Sequence, residues 1–141
     1  MDTVVVKFEG YEDSVAEAFN RIGADKVLAK QDKILIKPNL VTASPHPVTT
    51  PAACCIAVAD YARTCSPYAE IVIAEGTGDP SYDGLRIFAE LGYTSPAQRS
   101  GVRLIDLNAE PCVRLEKPEC RRLTEFYLPE IALSHFIISV P

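Results

Sequence analysis

Apolar and polar positions alternate along this chain with two periods, and each period marks an element. Residues 3–8, "TVVVKF", are β-branched and short, which predicts a strand. Over 14–23, Val15, Ala18, Phe19 and Ile22 recur at helical spacing. Ser14 and Glu17 stand at capping-box spacing and Gly23 suits the stop, so a helix is expected there. Residues 33–38, "KILIKP", are apolar without alternation, as in a strand covered on both sheet faces. Thr50 followed by Pro51 reads as a cap and first-turn proline opening the apolar helix "AACCIAVADYA".

Further strands are predicted at 70–76, 101–108 and 135–141, the last as a fifth core strand. Between the first two lies a short helix, "GLRIFAELG", with Leu85, Phe88 and Leu91 inward and Gly92 at its end. "CVRLE" and "RRLTEFYL", around Lys117–Pro118–Glu119, read as an antiparallel hairpin. Four strands thus alternate with three helices before the pattern changes. The expected fold is α/β: a three-layer, open, mostly parallel, Rossmann-like sheet with an added antiparallel β-hairpin near the C-terminus.

Length and composition fit that picture. At 141 residues and 48% apolar, the chain is expected to be a single α/β domain spanning 1–141 with a sizeable core. A formal charge of −5 and the absence of a basic stripe argue against nucleic acid as a partner. No run is long enough for a membrane span, and "MDTVVVKFEG" lacks a signal-peptide core. The cysteines, Cys54, Cys55, Cys65, Cys112 and Cys120, are odd in number and match no zinc or iron–sulfur spacing, so no metal ligand is assigned. Cys54 and Cys55 read as helix packing, whereas the hairpin gives Cys112 and Cys120 a way to approach that spacing alone does not decide. A reducing, cytoplasmic location follows by default.

The candidate chemistry gathers where strands end. In an open parallel sheet every strand points its carboxyl end to the same edge, where ligands bind. Here those ends read "KPNLVT", "EGTGDP" and "DLN". Lys37 would hold an anion or pair with Glu75, and Asn39 offers both a donor and an acceptor. Thr49 and Thr50 precede a helix N-terminus, whose free N–H groups also suit an anion. Gly76 and Gly78 let backbone amides approach a ligand closely, although the stretch is neither a Walker loop nor GxGxxG. Glu75 is the candidate for proton transfer, with Asp79 and Asp106 as further ligand contacts. His46 lies on an exposed loop between prolines, and His135 reads as structural.

"VLAKQDKILIKPNLV", followed by "TTPAACCIAVADYA" and "AEIVIAEGTG", resembles the uncharacterised family numbered 362 among the domains of unknown function. "ILIKPNLV" is the most specific part, and "GVRLIDLN" agrees in order. The resemblance implies an iron–sulfur association, because many members carry ferredoxin-type cysteine repeats. More distantly it implies likeness to the nucleotide-binding-like half of nickel-pincer lactate racemases. This chain has no C-x2-C-x2-C run, so it offers no ligands for an iron–sulfur cluster, and its own cofactor is unknown. Members typically continue past "IISVP", which would make the chain the N-terminal part of a longer family domain. The resemblance places Lys37, Pro38 and Asn39, and after them Thr50, Glu75 and Gly76, in the site.

Two functions are expected from these readings. One is a small-anion site in a redox or racemase-like enzyme, with Lys37 holding the anion and Glu75 moving a proton. The other is a non-catalytic scaffold or electron-transfer accessory module.

Overall fold

The computed structural model describes residues 3–117 and 119–141. Its helices are α1 (Tyr11–Arg21), α2 (Ala24–Leu28), α3 (Ala52–Cys65), α4 (Gly84–Glu90), α5 (Thr94–Arg99) and α6 (Glu130–Ser134). Its strands are β1 (Lys33–Pro38), β2 (Glu70–Glu75), β3 (Arg103–Asp106), β4 (Cys112–Glu116), β5 (Glu125–Pro129) and β6 (Phe136–Val140). Four of them form an all-parallel sheet in the order β3-β2-β1-β6, and β4 and β5 form a separate antiparallel hairpin. The α/β class and the hairpin expected from the sequence are both present.

Because side chains alternate across a strand, β1 and β2 divide their apolar residues between two cores. Ile34, Ile36, Ile71 and Ile73 meet Cys55, Val58, Ala59 and Ala62 of α3, together with Ile87, Phe88 and Tyr93. Leu35, Val72 and Ala74 face the other way, onto Ile131 of the five-residue α6. This double burial is why neither strand alternates in sequence.

Several expectations fail, each for a local reason. Residues 3–8 are not a strand: they pair with no other strand, and the Arg21 guanidinium of α1 donates to the Val5 carbonyl. Gly10, not Ser14, holds the cap position of α1. Ser14 is buried in the first turn, where its hydroxyl accepts from the Glu9 N–H (3.0 Å) and donates to the Lys7 carbonyl. Gly23 does end that helix, with φ +68°, in the left-handed region that glycine enters freely.

Pro51, not Thr50, stands at the α3 cap position. In α4, Leu85 is 58% exposed and Ile87 takes its place in the core, because the helix starts at Gly84 and turns that face inward. Finally, β6 pairs only with β1 among the described strands and so lies at the edge, leaving Phe136 and Ile137 partly exposed. Cys112 lies opposite Pro129 at the open end of the hairpin, whereas Cys120 lies in its connection, so the two thiols are not neighbours. Pro118, in the expected turn, lies outside the described residues.

Candidate functional site

The strand order fixes where a crevice belongs. From β1 the chain moves outward through β2 to β3, then returns by the hairpin and α6 to place β6 on the other side of β1. The direction of winding therefore reverses between β1 and β6. In open parallel sheets that switch point, at the carboxyl ends of the strands, is where loops diverge and ligands enter.

Lys37 and Asn39 lie at this point, with Thr50 beside them. The Thr50 hydroxyl accepts from the Asn39 N–H (2.9 Å) and donates to the Val140 carbonyl (2.8 Å), and its own N–H donates to the Asn39 carbonyl. One side chain thus pins the end of β1 to the end of β6. The helix cap expected of Thr50 is absent because its hydroxyl is spent on this bridge. Its carbonyl accepts from the buried Tyr93 hydroxyl at 2.7 Å, and that hydroxyl lies 3.6 Å from Cys55 Sγ. Burial pushes the Cys55 thiol up to about 12 and raises the Tyr93 hydroxyl as well, so both stay protonated inside the core.

Lys37 pairs with Glu75 across β1 and β2. The carboxylate is buried, with a side-chain exposure of 11%, while the lysine is 43% exposed. Glu75 Oε1 also accepts from the Gly76 N–H (2.9 Å), so each of its oxygens holds one donor. The ammonium has three donors. One goes to Glu75 and one to the Pro38 carbonyl (3.3 Å); the third has no partner among the described residues. Each Glu75 oxygen thus holds one donor and keeps a second lone pair.

Asp106 ends β3 in register with Glu75, on the same rim. Its carboxylate is turned to architecture: Oδ2 accepts from the Gly84 N–H (2.8 Å) and Oδ1 from the Asn108 N–H (2.9 Å). A side chain at Gly84 would collide with that carboxylate, so the glycine lets the start of α4 come this close. Asp79 Oδ1 accepts from the Ser81 N–H, leaving its other oxygen without a partner among the described residues. Thr49 is buried and donates to the Ser44 carbonyl. With His46 it lines a hollow of about 520 Å³ between its loop and the end of α4. His135 lies at the opposite end of the sheet, its side chain buried and its Nε2 3.8 Å from a Glu70 oxygen.

Sequence reasoning passed over Thr77, which sits among the expected site residues without having been assigned a task. Its hydroxyl donates to the Val41 carbonyl (3.3 Å) in the β1–α3 loop and accepts from the Asp79 N–H (3.1 Å). Its carbonyl accepts from the Asn108 side-chain amide (2.8 Å) after β3. Gly76 beside it has no room for a side chain, because Asn108 occupies that space. The signal was present as a β-hydroxyl residue between two glycines, a pattern of tight polar turns.

The cysteines were tested as cluster ligands. Cys54 and Cys55 lie on α3, Cys65 ends that helix, and Cys112 and Cys120 lie at separate ends of the hairpin. No three Cys, His, Asp or Glu side chains come together as a metal site among the described residues. The cysteine set therefore does not fit an iron–sulfur cluster. Among the described residues no helix is long and apolar enough to cross a membrane.

The sequence profile of the family described as Domain of unknown function (DUF362) matches residues 34–141, and the chain belongs to that family. No curated protein and no solved structure matches.

Proposed function

We propose, for a member of a family defined by no activity, that the carboxyl rim of the sheet binds a small anionic molecule at Lys37. One observation carries this reading. At the topological switch point an ammonium is fixed by a buried carboxylate yet half exposed, with a donor to spare. Glu75 orients the lysine, so the side-chain entropy of holding it still is met on folding rather than on binding. Asn39 and the backbone between Gly76 and Gly78 flank the same rim and would orient the ligand. Because the Lys37 charge is already balanced by Glu75, and Asp79 adds a negative charge nearby in sequence, a strongly charged polyanion is a poorer match than a compact single anion.

A role in a redox or racemase-like enzyme would add proton transfer by Glu75. The non-catalytic reading, a binding scaffold, is favoured by the donors that every oxygen of Glu75 and Asp106 already holds within the chain. Titrating isotopically labelled protein with sodium acetate and with sodium phosphate separates binding from its absence. The Lys37 ammonium and the Gly76–Gly78 amides should shift saturably, in the millimolar range expected of one exposed charge-assisted contact. Lys37→Met should abolish those shifts while the Tm moves little. An equal loss of Tm and binding makes Lys37 a structural residue, and unmoved signals in the native protein end the proposal.

A further inference from the structure

We infer that Thr77 is the positioning residue of this rim, tying its three loops into one preformed surface before any ligand arrives. The inference rests on the anion-site reading above and adds to it which residue holds the site in shape. Each loop alone is a poor platform, since an unsupported strand-end loop must be ordered by whatever binds it, at a cost taken from affinity. Here the β1–α3 loop is tied to the β2–α4 loop by the Thr77 hydroxyl on the Val41 carbonyl. The β2–α4 loop is tied to the turn after β3 by the Asn108 amide on the Thr77 carbonyl. The Leu107 N–H on the Glu75 carbonyl (3.1 Å) fixes the start of that second seam.

The same hydroxyl accepts from the Asp79 N–H, so it also sets the course of the chain past Gly78. The hydroxyl makes both of these bonds and the methyl group makes neither, which determines how the inference is tested. Thr77→Val keeps the shape and deletes both hydroxyl bonds. Thr77→Ser keeps both bonds and deletes only the methyl. Asn108→Ala cuts the second seam alone.

Amide hydrogen exchange on the full chain comes first, because it needs no ligand. Thr77→Val should speed exchange by about fivefold on each side, at Gly78 and Asp79 and in the β1–α3 loop around Val41, since each side loses one net hydrogen bond. Thr77→Ser should leave exchange within about twofold of the native chain, on the same scale. Asn108→Ala should speed the loop on either side of Thr77 without touching the Val41 side. Phosphate and acetate titrations follow: Thr77→Val should bind about fivefold more weakly with the Tm unchanged, and Thr77→Ser should restore binding.

Unchanged exchange in Thr77→Val overturns the inference whatever the titrations give. So does faster exchange with undiminished affinity, since the ties would then not serve binding. Serine behaving like valine also overturns it, because the methyl would be the active part. If the native chain shows no shift at Lys37 with either anion, the anion reading itself fails and takes this inference with it. That outcome is distinguishable, because it appears before any variant is made.

Discussion

Two pairs of β-branched runs in this chain look alike on paper and meet different fates. "ILI" of β1 and "IVIA" of β2 are fully buried at the centre of the sheet, between α3 on one side and Ile131 on the other. "VVV" at residues 4–6 and "FII" of β6 carry the same kind of side chain, yet Val5 is 85% exposed and Ile137 43%. A run of Val and Ile states that a segment tolerates extended backbone and burial; its neighbours decide whether it receives either. The centre has partners on four sides. The β6 edge has one strand partner among those described, and residues 3–8 have none.

Substitutions can break this comparison. Ile73→Ala removes a fully buried side chain flanked by two strands and should cost about 3 kcal/mol in chemical denaturation. If its cost equals that of Ile137→Ala, expected to fall below about 1 kcal/mol, burial does not separate the two regions.

Alkaline pH probes the same core. In the unfolded chain Cys55 ionises from about 9, but in the folded core only near 12, chiefly because burial strips its solvent, and Tyr93 is raised for the same first reason. Both groups are raised on folding, so their contribution is complete below pH 9. It should fall above that as the unfolded chain releases the protons first, by about 1 kcal/mol per pH unit for each group that ionises only when unfolded. A stability profile flat from pH 8 to 11 would contradict the burial of this pair.

Tyr93→Phe sharpens the point, since it deletes the hydroxyl while keeping the ring on Phe88. It leaves the Thr50 carbonyl without that donor and should cost about 1–2 kcal/mol. Val5→Ser, at the far end of the scale, should change the melting midpoint by less than a degree or so, within the usual surface range.

What the sequence disclosed follows the same division. All four strands of the parallel sheet and the long α3 were readable because continuous apolar runs bounded by Pro, Gly and charged residues have few other uses. The shared rim of Glu75 and Asp106 followed from parallel topology alone, and so did the proximity of Lys37 to Glu75. Topology does not carry hydrogen-bond partners. Asp106 looked free for a ligand and is bound to two backbone N–H groups; Thr50 looked like a helix cap and instead spans β1 and β6. Short α2 and α5, with five and six residues, are too brief for periodicity to register.

The hairpin adds a practical consequence. Its connection, from Lys117 to Thr124, is held by the Lys117 N–H on the Thr124 carbonyl, and residues 119–125 are all exposed. Chain segments of this kind accept foreign sequence more readily than laced ones do. A fluorophore coupled through Cys120, or an epitope spliced between Arg122 and Leu123, would therefore report on the protein while leaving the strand ends of the parallel sheet unencumbered.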